Sequence, residues 1–231
     1  MKNQNHALTK DQIDRVISLY SSGKIEESIS AIKALNNDYP NVPLLFNLLG
    51  ACYKTLGKLK ASAKAFEVAT SIKPDYAEAY NNLGIVQMQL RSLDVSVESF
   101  KRAIAIKPDY VEAHSNLGVV LKELNRIEEA IKAYEKVISF KPDYAEAHNN
   151  LGNLLKDLGM FYEAVKCYEK SLDIKSDYVE AHNNLGVALK ELNRFEEAVK
   201  SYDKALSINP NFAEAHNNLG VALKELNRFE E

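Results

Sequence analysis

The stretch EAHNNLGVALKELNRFEE, Glu180 to Glu197, recurs letter for letter as Glu214 to Glu231. The second copy lies 34 residues after the first, and the same step runs through the rest of the chain. Prolines stand at Pro40, Pro74, Pro108, Pro142 and Pro210, and Ser176 fills the gap in that series. Leu-Gly pairs keep the interval at Leu49-Gly50, Leu83-Gly84, Leu117-Gly118, Leu151-Gly152, Leu185-Gly186 and Leu219-Gly220. A fixed period of this length marks an array built from one supersecondary unit. The units run over 9–42, 43–76, 77–110, 111–144, 145–178 and 179–212, with a partial unit at 213–231 and a polar tail at 1–8.

Each unit reads as two amphipathic helices. In the fourth, Val111 to Leu124 gives a first helix with Leu117, Val120, Leu121 and Leu124 on one face, and a second follows from about Ile127 to Phe140. Gly23, Gly57, Gly159, Asn125, Asn193 and Asn227 stand where a helix ends on a left-handed residue. Arg91 breaks that series, so strain is expected in the third turn. Proline after each second helix stops it, because proline cannot continue a helix interior. Gly118 and Ala130 are small where paired helices must approach, and Phe66, Phe100, Tyr134, Tyr168 and Tyr202 are expected to fill the core beside them. A glycine inside a helix costs about 1 kcal/mol against alanine, so six at a fixed step imply a packing role.

Composition narrows the function. The 231 residues are 46% hydrophobic and 26% charged, in the range of soluble globular proteins, with net charge −3. That balance gives no bulk electrostatic case for nucleic acid or an anionic membrane. No apolar run is long enough to span a bilayer, and residues 1–10 lack the apolar segment of a secretory signal, so a cytoplasmic location is the expectation. Cys52 and Cys167 form neither a metal spacing nor a disulfide framework.

On these residues the units resemble tetratricopeptide repeats, from Thr9 to Glu231. The resemblance implies an all-α fold, a right-handed α-solenoid superhelix of 34-residue helix-turn-helix units whose first helices line a concave groove. The first unit departs from the pattern with Arg15-Val16 in place of Leu-Gly, and Thr9 with Gln12 offers a capping box there instead. The chain stops at Phe229-Glu230-Glu231, half a unit, which suggests a fragment of a longer protein and a face open to self-association.

Before each Leu-Gly pair stands Asn82, Asn116, Asn150, Asn184 or Asn218, with Leu48 the exception. An asparagine side chain carries both a donor and an acceptor, so it can pair with a peptide unit without selecting side chains. The run is similar to the superhelix of the O-linked N-acetylglucosamine transferases, in which an asparagine ladder holds substrate peptides. The other reading is of solvated surface groups copied by duplication. Asn149 and Asn183, with Asn81, Ser115 and Asn217, precede the ladder, and Lys122, Lys156 and Lys190 lie further along the same helices. Each lysine is followed by an acid, a pattern typical of a solvated face. Modules that clamp a C-terminal carboxylate use Lys and Arg early on the first helix; here Glu78, Glu112, Glu146, Glu180 and Glu214 stand there.

His114, His148, His182 and His216 recur once per unit, about 10 Å apart in such a stack, too far to share one zinc. Packing is the expectation for them, as it is for the cysteines. Tyr76, Tyr110, Tyr144 and Tyr178 follow the inter-unit turn and face either the next unit or a ligand. No phosphate loop, nucleophile elbow or convergent acid pair occurs, so no cofactor and no catalysis are expected from these residues. The expected function is a scaffold binding an extended peptide in the groove; the alternative is the substrate-recruiting region of a larger glycosyltransferase.

Overall fold

A computed structural model describes residues 8–226. Expectations for the 1–7 part of the tail, including His6, and for Asn227 and Phe229 to Glu231 lie outside the described residues. Among those described, thirteen helices and no strand occur. First helices are α1 (Lys10–Ser21), α3 (Pro43–Thr55), α5 (Ala77–Gln89), α7 (Val111–Glu123), α9 (Ala145–Asp157), α11 (Val179–Glu191) and α13 (Ala213–Glu225). Second helices are α2 (Ile25–Asp38), α4 (Leu59–Ile72), α6 (Leu93–Ile106), α8 (Ile127–Phe140), α10 (Phe161–Ile174) and α12 (Phe195–Ile208). The all-α, helix-turn-helix repeat architecture read from the 34-residue period is the fold. The chain forms two compact units that divide within α7, between Asn116 and Leu117.

Each intra-repeat turn closes in the way its residues dictate. Leu56 caps α3, and Gly57 follows at φ 68°. Gly57 N–H then donates to Lys54 O and Lys58 N–H to Tyr53 O, both at 2.9 Å. That pair of bonds satisfies carbonyls the helix end would otherwise orphan. Gly23, Gly159, Asn125 and Asn193 are left-handed at the same place, at φ 77°, 75°, 56° and 58°. Arg91 is forced there too, at φ 62°, a conformation its Cβ disfavours.

Pairing of the two helices rests on one close approach per repeat. An added Cβ on Gly50, Gly84, Gly118, Gly152 or Gly186 would lie 2.5–2.7 Å from the ring of Phe66, Phe100, Tyr134, Tyr168 or Tyr202 respectively. All five rings are buried. Beside them Ser62 and Ser96 donate to the carbonyls of Gly50 and Gly84 at 2.7 Å, and later repeats place the fully buried Ala130, Ala164 and Ala198 there. The first repeat reaches the same volume differently. Val16 replaces the glycine and Ile32 replaces the ring; both are buried in one cluster with Ile29 and Leu45. Such compensating exchanges preserve packing at little cost. Thr9 and Gln12 form the reciprocal capping box of α1.

Candidate functional site

The asparagines of the first helices are set by helix packing, each repeat against the one before. In the first unit Asn82 Nδ2 donates to Asn47 Oδ1 at 3.2 Å, and Asn116 Nδ2 to Asn81 Oδ1 at 3.0 Å. In the second unit Asn184 Nδ2 donates to Asn149 Oδ1 at 3.1 Å, and Asn218 Nδ2 to Asn183 Oδ1 at 3.0 Å. The step is 35 residues each time, one more than the repeat. Asn82, Asn116, Asn184 and Asn218 therefore each stitch a repeat to the preceding position of the repeat before.

The two asparagine positions differ in burial. Asn81, Asn149 and Asn183 are 5%, 4% and 1% exposed and lie inside this junction. Asn82, Asn116, Asn150, Asn184 and Asn218 are half-buried. In the stitched pairs one N–H of the half-buried amide is committed, which leaves its carbonyl and a second N–H for another partner.

A tyrosine completes most junctions. The amides of Asn47, Asn81 and Asn149 face the hydroxyls of Tyr76, Tyr110 and Tyr178 and lower their pKa values, against a larger upward push from burial. In the last repeat Phe212 has no hydroxyl to offer, and Asn183 Nδ2 donates to Glu214 Oε1 at 3.0 Å instead. Asn150 also differs: its amide faces the hydroxyl of Tyr134, whose pKa burial pushes up to about 12. The Tyr76 series meets its own turn as well, with the ammonium of Lys73, Lys107, Lys141 or Lys175 lying 4.8–5.1 Å from the ring centre. Such cation–π pairs hold the turn residue against the helix start.

The remaining residues singled out in the sequence take more modest places. Lys122 Nζ lies 3.3 Å from Asp157 Oδ2 and Lys190 Nζ 3.1 Å from Glu191 Oε1, while Lys156 is half-buried. Exposed pairs of this kind contribute little to stability. Each histidine donates from Nε2 to the carbonyl six residues earlier, His114 to Pro108, His148 to Pro142, His182 to Ser176 and His216 to Pro210, at 2.8–3.0 Å. They tie the inter-repeat turn, and His114 and His148 are buried there, in line with the packing expectation. Burial pushes the thiol of Cys52 up and that of Cys167 up to about 11, so both are weak nucleophiles at neutral pH.

One row escaped the sequence reading. Three residues after each ladder asparagine, on the same helix face, stand Ile85 in the first unit and Val119, Asn153, Val187 and Val221 in the second. The first four are half-buried and Val221 is 40% exposed. Asn153 breaks the apolar row because its Oδ1 accepts from the Tyr168 hydroxyl at 2.8 Å. The row's signal in the sequence is the β-branched residue that follows four of the Leu-Gly pairs. Within each unit the first helices thus offer amide groups beside apolar side chains. Among the described residues no helix is long and apolar enough to cross a membrane.

A family model described as TPR repeat matches residues 50–90, 92–125, 120–159, 152–193 and 188–227. No curated protein matches the chain. Among solved structures it is similar to YrrB, described as a TPR protein with an unusual peptide-binding site. That protein is 19% identical, with 81% of this chain and 96% of that one covered at a TM-score of 0.69. It is similar to MamA at 25% identity, with 74% and 94% covered and a TM-score of 0.68. PilF of Pseudomonas aeruginosa matches at 14% identity, with 90% and 94% covered and a TM-score of 0.77.

Proposed function

The chain belongs to the tetratricopeptide-repeat family, and from that premise we propose that its first-helix faces hold an extended segment of a partner protein. In this reading Asn82 and Asn116 of the first unit, and Asn150, Asn184 and Asn218 of the second, contact the segment's backbone. The observation that supports it most is the carbonyl and second N–H left on each stitched, half-buried amide. Neighbouring first helices stand about 10 Å apart, one helix-packing distance. An extended chain advances about 3.3 Å per residue, so each asparagine meets about every third residue. The apolar side chains beside the asparagines add a place for those of the segment. YrrB, whose description names a peptide-binding site, lends the reading further support.

The test is fluorescence anisotropy with labelled 15-residue peptides that bind the chain, selected from an array of disordered protein segments. Asn150→Ala and Asn184→Ala are expected to weaken binding at least fivefold. Unchanged affinity in both variants sinks the ladder. Melting curves of both variants serve as control: a loss of affinity counts only where the melting temperature stays near that of the parent.

The resemblance to the transferase superhelix favours a second reading, in which the same face recruits substrates for a glycosyltransferase domain. The same asparagine series supports it, and the coding sequence beyond Glu231 decides it.

A further inference from the structure

The turn within the first, fourth and sixth repeats carries a recurring set of charges. Arg126 binds Glu129, and Arg194 binds Glu197, each through two bonds of 2.7 Å. Lys24 and Glu27 hold the same places in the first repeat, 3.9 Å apart. Between the partners stands an exposed acid, Glu26, Glu128 or Glu196. The second and third repeats lose the acid itself, to Ala61 and Val95, whereas the fifth keeps its acid, Glu163, and loses the basic partner. Met160 stands where Arg126 and Arg194 stand, and Tyr162 stands where Glu128 and Glu196 stand. With Leu158 they leave three large apolar side chains 45%, 41% and 66% exposed within five residues, in the order Leu158, Met160, Tyr162. Glu163, the counterpart of Glu129 and Glu197, keeps its place but has no guanidinium at residue 160 to bind. Among the described residues no ion pair is made to it.

We propose that this turn docks a segment of a partner protein that inserts one apolar side chain against Leu158, Met160 and Tyr162 and pairs an adjacent lysine or arginine with Glu163. The charge argues for the basic residue. It would restore to Glu163 the contact that Arg126 and Arg194 supply to its counterparts, and charge-assisted bonds of that geometry are the stronger kind. Two nearby charges are already committed, since Asp157 pairs with Lys122 and Arg194, which lies near Tyr162, pairs with Glu197. The extent argues for a short segment. Three side chains so exposed present roughly 300 Å², in the range of functional patches on monomers. A stable protein–protein interface buries about 800 Å² on each side, so a second copy of this chain does not find enough surface here. The surface is separate from the first-helix face and stands independently of its function.

The double variant M160R/Y162E recreates the charges of the fourth and sixth repeats and is expected to fold like the parent, which circular dichroism and a melt check. A phage library of random 12-residue peptides is selected on the parent chain and counterselected on this variant. The resulting synthetic peptides are then measured by fluorescence polarisation. Enriched peptides should share an apolar residue next to a basic one and lose at least tenfold in affinity on M160R/Y162E. They should lose several-fold on E163Q and bind N184A as they bind the parent. Failure to enrich peptides over the counterselection, or equal binding to parent and double variant, overturns the proposal. So does a concentration-dependent dimer in sedimentation that M160R/Y162E abolishes, which would give the surface to a second copy.

Discussion

A Cβ placed on Gly152 would stand 2.7 Å from Cε1 of Tyr168, whose ring is fully buried and has no room to withdraw. Gly152→Ala therefore sets a helix-propensity gain of about 1 kcal/mol against an overpacking cost of about 1–3 kcal/mol. Overpacking wins, and the urea midpoint should fall. At Gly220 nothing among the described residues lies within 4 Å of the added Cβ, so Gly220→Ala should raise the midpoint or leave it unchanged. Midpoints that move together in the two variants would contradict the packing role assigned to the glycines.

The Asn184–Asn149 bond joins consecutive repeats of the second unit at 3.1 Å. A double-mutant cycle with Asn149→Ala and Asn184→Ala should return a coupling of about 1 kcal/mol, the net value of a side-chain hydrogen bond. Additive single effects would mean that the amides ignore each other in solution.

How much of this was legible beforehand follows from the range of each interaction. The Gly152–Tyr168 contact lies inside one repeat, sixteen residues apart, so the 34-residue pattern displayed both partners and their opposed sizes. The left-handed turns were legible for the same reason, down to the odd residue, Arg91. The asparagine stitch was not, because its 35-residue step depends on how one first helix is offset against the next, which no single repeat encodes. Nor was the histidine bond to a turn carbonyl, since every residue has such a carbonyl and sequence identity does not mark it. The exposed turn at Met160 and Tyr162 was readable as a break in a charge series, but only the burial of its neighbours shows that the side chains stay outside.

His182 donates from Nε2 to the Ser176 carbonyl and sits partly buried, which holds its pKa below the ordinary 6.5; the carbonyl bond opposes that shift and nearby Lys204 adds to it. The neutral ring is the form the fold favours. Below about pH 6.5 the unfolded chain takes up a proton before the folded one does, so this contribution is intact above that value and is lost as the pH falls below it. The difference in urea midpoint between the parent and His182→Gln should narrow between pH 7.5 and pH 5. A constant difference would show that the ring titrates alike in both states.

Arg91 occupies φ 62°, where Asn125 and Asn193 of later repeats sit at 56° and 58°. A left-handed residue with a full side chain costs about 1–2 kcal/mol, and asparagine tolerates the region better than most. Arg91→Asn should raise stability by about 0.5–1 kcal/mol, read from the urea midpoint. A loss of stability would mean that the arginine side chain contributes more than its backbone costs.

Tyr168 and Tyr202 occupy equivalent places with opposite hydroxyl fates. The Tyr168 hydroxyl donates to Asn153 at 2.8 Å, whereas the Tyr202 hydroxyl is buried without a partner among the described residues. The cause is one substitution in the facing helix, where Val187 stands 34 residues after Asn153 and offers no acceptor. A buried hydroxyl left unpaired costs about 1–3 kcal/mol, while one that is bonded contributes about 1 kcal/mol net. Phe66 and Phe100 fill the same place in earlier repeats, so the ring fits without its oxygen. Tyr202→Phe should therefore stabilise the chain and Tyr168→Phe destabilise it, through removal of the same atom from the same side chain. Paired urea titrations measure both, and a drop in midpoint for Tyr202→Phe would mean that its hydroxyl has a partner in solution.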